Sequence, residues 1–203
     1  MNFSSLQPCG LLVLSLFKNS GYWALFTVLF LLPQMAEAQH GSEWIKGKLR
    51  WRHFLLVEDD DEIYKANLSY RARDLTDTID KQIVIDFRIQ VDTVKTWVKE
   101  GHLNRNLLNH ERTHFNIAEL ELRKLKQLIK EQPLLMLQYD SLLQATRLRE
   151  DAIQEQFERE TAYGTNIDRN RAWHKATNKA LRKLKAYKGP VYLRILNGGS
   201  PVP

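Results

Sequence analysis

Residues 104–132 read NRNLLNHERTHFNIAELELRKLKQLIKEQ. The residues Ile117, Ala118, Leu125 and Leu128 continue a single face begun by His110 and His114, the period of an amphipathic α-helix. The embedded run His110-Glu111-Arg112-Thr113-His114 has the form H-E-x-x-H. On a helix, two histidines four residues apart project from nearly the same side, about 6 Å apart along the axis, so both imidazoles can reach one ion. Glu111 lies about 100° round the helix, beside such an ion, where its carboxylate can take a proton from water.

Upstream of this helix the pattern changes to a period of two. Ile83, Ile85, Phe87, Ile89 and Val91 alternate with Asp86, Arg88 and Gln90, and earlier strands are expected over Leu49–Val57 and Ile63–Ala72, joined by the acidic run Glu58–Glu62. Downstream the pattern stays helical, over Leu134–Thr161 after Pro133 and over Asp168–Tyr187 after Gly164, the expected cap of the preceding helix. Gly189-Pro190 closes the last helix before a short Val191–Leu196 strand and a disordered tail. Strands first and helices later predict an α+β domain: N-terminal antiparallel strands, then a helical half carrying the H-E-x-x-H helix.

The N-terminus sets the expected compartment. Lys18 precedes the apolar run Gly21–Leu32, and Ala36-Glu37-Ala38 is a small-x-small cleavage pattern, so residues 1–38 read as a cleaved signal peptide and 39–190 as the domain. Polar residues 18–20 and Gly21 interrupt the apolar stretches, so no stable membrane span is expected after cleavage, and the mature chain is expected in the periplasm or outside the cell. Cys9, the single cysteine, lies in the signal, leaving no disulfide or thiolate site in the mature chain. Any metal there needs His, carboxylate or Tyr ligands. The net charge of +6 comes from interleaved signs rather than a basic block, and the basic segment lacks aromatics beyond Trp173 and Tyr187, which argues against a nucleic-acid partner.

Two histidines do not complete a catalytic zinc shell, which takes three protein ligands and leaves one position open. Asn116 and Glu119 point away from the histidine face; Glu121 shares it but lies about 10 Å beyond His114, suited to a salt bridge. The third ligand is therefore expected from the later helices, with Phe157–Gly164 the densest candidate segment and His174 a further candidate.

Several segments together resemble a known family. Leu107–Glu119, Phe157–Gly164 and Trp173, with Trp51–Phe54 and Thr96–Val98, are similar to domain-of-unknown-function family 922, an uncharacterised bacterial envelope family grouped with the zincin-like peptidases. The resemblance covers most of residues 45–188 and implies a zinc-dependent protease in which His110 and His114 bind the metal and Glu111 is the general base. The chain departs from the family where Phe157-Glu158 replaces Tyr-Asp, where Tyr163 stands in place of a common histidine, and at Thr113 and Asn116. Glu160 is then the expected third ligand, with Glu158 and Tyr163 as alternatives; Tyr163 is also a candidate oxyanion donor. Hydrolysis of peptide or protein substrates in the cell envelope with Zn²⁺ is the expected activity, against the alternative of a catalytically inactive binding protein that uses a basic helical surface.

Overall fold

Asn104 begins the long helix from extended backbone, its side chain accepting from the N–H groups of Asn106 and Leu107 at 3.0 Å each. Such a cap satisfies two of the four donors a helix start leaves unpaired and is worth about 1 kcal/mol. The helix it opens, α1 (Arg105–Glu131), contains the H-E-x-x-H run in its second and third turns. The structure is a computed structural model that describes residues 43–44, 48–58, 64–195 and 201–202, within a compact unit spanning His40–Pro203. The expected signal peptide, residues 1–38, and Asp59–Glu62 of the acidic run lie outside the described residues. Among the described residues, no helix is long and apolar enough to cross a membrane.

The architecture is mixed α and β, with most strands preceding a helical half. After α1, Pro133–Gln138 forms a 3₁₀ segment, then come α2 (Tyr139–Thr161) and α3 (Ile167–Lys183), with a last 3₁₀ turn over Lys185–Tyr187. The helix expected from Leu134 therefore starts five residues late. Its end also differs from expectation: backbone reversal begins at Ala162, not Gly164, with Ala162, Tyr163 and Gly164 all left-handed at φ 47°, 53° and 80°. Thr161 supports this turn by donating its hydroxyl to Phe157 O at 2.8 Å and accepting from Gly164 N at 3.3 Å.

The strands are more fragmented than their periodicity suggests. They are β1 (Glu43–Trp44), β2 (Leu55–Val57), β3 (Ala66–Asn67), β4 (Tyr70–Asp74), β5 (Asp77–Ile79), β6 (Gln82–Ile85), β7 (Phe87–Val91), β8 (Trp97–Lys99), β9 (Val191–Ile195) and β10 (Pro201–Val202). They form three small sheets, ordered β1-β7-β4, β10-β9-β6-β5 and β2-β8-β3. Part of the first expected strand is a 3₁₀ turn at Trp51–His53, and β2 pairs with β8 in parallel, so the N-terminal part is not purely antiparallel. The run of alternating residues from Ile83 breaks at Asp86, whose carboxylate accepts from Phe87 N at 3.0 Å, and its two halves join different sheets. A β5–β6 hairpin turns through Asp80 and Lys81, both left-handed, as a two-residue turn between twisted strands requires.

The expected Val191–Leu196 strand is present as β9, and of the tail after it the described residues Pro201–Val202 are also paired. Strand β9 pairs with β6, burying Val191 and Leu193, and β10 pairs with Arg194 and Ile195. The chain thus returns from the helical half to complete a sheet, because alternating apolar residues gain by reaching the core. That core lies between α1, through Phe115, Ala118, Leu122, Leu125 and Ile129, and the strand residues Ile85, Phe87, Ile89, Val91 and Leu193. Lys126, buried among them, donates to Gly189 O at 2.9 Å and lies 3.6 Å from Asp86, which ties the C-terminal segment to the strand break.

Candidate metal site

The residue of α2 that sets the site is Phe157, which is fully buried. Its ring stacks on His110 with centroids 4.7 Å apart at 28° and meets His114 edge-on at 4.8 Å and 79°. Burying Phe157 against α1 fixes the rotation of α2. Thr161, Gln154 and Glu158 lie about 40°, 60° and 100° to one side of Phe157 round the helix and turn inward, while Glu160 lies about 60° to its other side and meets Trp173.

Three donor atoms converge as a result. His114 Nε2 lies 2.9 Å from Glu158 Oε1 and 3.2 Å from His110 Nε2, which is itself 3.5 Å from the same carboxylate oxygen. His110, His114 and Glu158 are the only such His, Cys, Asp or Glu cluster among the described residues whose ligand atoms could share one ion. Donors placed about 2.0–2.2 Å from a tetrahedral ion are separated by about 3.3 Å, so the observed triangle fits a single Zn²⁺-sized centre. Glu158 Oε2 is buried with no hydrogen-bond partner, a free lone pair beside the triangle.

Gln154 orients one of these donors. Its Nε2 donates to His114 O at 3.0 Å and to the Tyr70 hydroxyl at 2.7 Å; a carbonyl oxygen only accepts, so the remaining amide atom, Oε1, is an acceptor. That Oε1 lies 2.7 Å from His114 Nδ1, which therefore carries the ring proton in the neutral imidazole and leaves Nε2 with its lone pair facing the triangle. The chain continues outward, since Tyr70 donates its hydroxyl hydrogen to Glu150 Oε1 at 2.8 Å. A metal-binding histidine characteristically has such an outer partner.

The charges are mutually adjusted. Burial opposes the Glu158 charge, but hydrogen bonds from His110 and His114 prevail and hold its carboxyl down to about 2. Burial likewise opposes a charged His114, yet the Glu158 hydrogen bond and the Glu111 charge raise it above its ordinary value. Glu111 is 5% exposed, and its desolvation raises its pKa above the ordinary carboxylate range, with the imidazoles of His114 and His110 offsetting part of the effect. A carboxyl group raised in this way holds a proton more readily than an exposed one.

The expected third ligand, Glu160, lies outside the triangle. Glu160 faces α3, where its carboxylate accepts from Trp173 Nε1 at 2.8 Å, from Gln156 at 2.8 Å and from the Arg169 guanidinium. Those bonds hold its carboxyl below the ordinary range and away from the histidines. Tyr163 stands on the rim of the cleft, 62% exposed. His174 lies across α1, its Nδ1 3.2 Å from Thr113 Oγ1. Glu121 is buried in ion pairs with Lys124 at 2.5 Å and Arg149 at 3.4 Å, remote from the cluster as its axial offset predicts.

Gln154, Tyr70 and Gly164 escape a reading of motifs alone. Phe157, the one large apolar residue of its segment, is the signal that could have found Gln154 through helix phase; Glu158, about 100° round from it, carries no such signal. The triangle opens into a cleft of about 1110 Å³, which Glu111, Tyr70, Leu107, Tyr163 and Ile167 help to line. No protein-family model, curated protein or solved structure matches this chain.

Proposed function

We propose that the protein is a secreted or periplasmic zinc-dependent metallopeptidase related to domain-of-unknown-function family 922, with His110, His114 and Glu158 as metal ligands. The observation that carries this reading is the convergence of His110 Nε2, His114 Nε2 and Glu158 Oε1 within 3.5 Å beside the buried Glu111. A zinc ion held there supplies a Lewis acid that polarises the scissile carbonyl and makes water more acidic.

The chain's own groups perform the proton work. Glu111 accepts a proton from the attacking water as the new carbon–oxygen bond forms, then returns it to the leaving amine nitrogen as the carbon–nitrogen bond breaks. Tyr163, on the cleft rim, donates its phenolic hydrogen to the carbonyl oxygen as charge develops there. Gln154 holds His114 in the tautomer that presents Nε2.

The first experiment measures bound zinc in the purified protein and in His114→Ala. One zinc per chain, lost in the variant, supports the site, and peptide hydrolysis that disappears in Glu111→Gln while zinc is retained supports the chemistry. If zinc binds and no peptide pool is cleaved, the second reading holds: an envelope binding protein on the same fold. That reading is favoured by Arg171, Lys175 and Lys179, which are exposed along α3.

A further inference from the structure

On the other side of α1 from the triangle, a second cavity of about 90 Å³ lies between α1, α3 and the segment before the first 3₁₀ turn. It is lined by Lys48, Arg112, Asn116, His174 and Asn178, with Leu49 and Phe115 as its apolar wall. Among the described residues, no carboxylate lines it. Arg50 and Arg105 stand near enough for their charges to act on Arg112, and the charges of Lys48, Arg105 and Arg112 act on His174.

Among the described residues, Lys48, Arg50, Arg105 and Arg112 form no ion pair with a carboxylate. This contrasts with Arg123, on the same helix, which is matched by Glu119 at 2.7 Å. Concentrated like charge destabilises a compact state unless an anion neutralises it. The Arg112 fork is held in place, with Nε donating to Leu49 O at 2.8 Å and Nη1 to Asn109 Oδ1 at 3.3 Å. A held guanidinium loses less freedom on meeting an oxyanion than a free one.

The histidine wall is equally ordered. Thr113 spends its hydroxyl hydrogen on Asn109 O at 2.7 Å, so it accepts from His174 Nδ1 at 3.2 Å, and His174 Nε2 accepts from Asn178 Nδ2 at 3.1 Å. His174 is thereby neutral, and its neighbours supply the positive charge. The cavity has room for about three waters, the size of one tetrahedral oxyanion.

We propose that this cavity is a binding site for a phosphate-class oxyanion, held by the charges of Arg112 and Lys48 and by the side-chain amide of Asn116. It is separate from the metal triangle and does not depend on the peptidase reading. The ligand is either inorganic phosphate or the terminal group of a phosphate monoester, which share the same recognition chemistry.

The test is calorimetric titration of the metal-stripped full chain with inorganic phosphate and, separately, glycerol 3-phosphate, both at constant ionic strength. Saturable binding at one site is expected, weakened roughly tenfold or more by Arg112→Gln and by Lys48→Glu and unchanged in Lys130→Gln, whose lysine is exposed and outside the cavity. Tighter binding of glycerol 3-phosphate assigns the site to organic phosphates, and tighter binding of phosphate assigns it to the free ion. Because Arg112→Gln also removes a bond to Leu49 O, the exposed Lys48 variant keeps the test valid if the arginine variant misfolds. Absence of saturable binding by either probe overturns the proposal, as does an equal loss in Lys130→Gln and Lys48→Glu.

Discussion

Gly164 packs directly on the His110 imidazole: a Cβ at residue 164 would lie 3.2 Å from both Cγ and Nδ1 of that ring. The contact also requires φ +80° at residue 164, in a turn where Ala162 and Tyr163 are already left-handed. The three-residue turn after α2 thus closes over one of the candidate ligands.

Gly164→Ala is expected to cost about 1–3 kcal/mol of stability, from the positive φ and from displacement of the ring. Zinc affinity should fall in the same variant. Urea unfolding and zinc competition titration check both effects; a stable variant with unchanged affinity would show that the ring tolerates the added methyl group.

Glu158→Gln and Glu160→Gln separate the two carboxylates. The first removes the oxygen that lies 2.9 Å from His114 Nε2 and is expected to abolish stoichiometric zinc binding. The second removes only charge held by Arg169, Gln156 and Trp173, and zinc content should remain that of the wild type. Metal analysis of the two purified variants decides between them, and the reverse pattern would sink the Glu158 assignment.

Gln154→Ala breaks the chain from His114 through Tyr70 to Glu150. Loss of an outer-shell partner typically weakens metal binding about 10- to 100-fold, and a decrease of that order is expected in competition with a chromophoric chelator. Secondary structure should be retained, because α2 keeps its Phe157 anchor. Unchanged affinity would mean that Gln154 does not govern the His114 tautomer.

The metal-free protein should show a defined pH window. Glu158 is held at about 2 against 4.5, so its contribution to stability is full above 4.5 and disappears as pH falls through 2. His114 is raised above 6.5, so its contribution is full below 6.5 and disappears as pH rises through the folded-state value. The stability difference between the wild type and Glu158→Gln is therefore expected to peak between 4.5 and 6.5 in urea titrations. Zinc affinity should fall as pH drops through the raised His114 value, because the proton and the metal compete for Nε2. A stability difference independent of pH would exclude the ion pair.

The helical half was largely legible because its signals are local. The i, i+4 spacing of His110 and His114 acts within about one turn, and α1 runs Arg105–Glu131 where the periodicity placed it. The strands were less legible. A period of two specifies which face is apolar but not which strand is the partner, and Asp86 diverts Ile83–Val91 into two sheets through contacts with other parts of the chain.

By itself, then, the sequence determined the order of strands and helices, the absence of cysteine after Cys9 and the projection of His110 and His114 from one side of α1. Tertiary structure decided which carboxylate joins them. Glu158 and Glu160 are two residues apart, about 200° round a helix, and it is the joint burial of Phe157 and Thr161 that determines which of the two turns inward. It also decided that Gln154 and Gly164 meet the histidines and that β9 enters the sheet. These contacts join segments tens of residues apart, whose relative positions are set by packing rather than by local sequence.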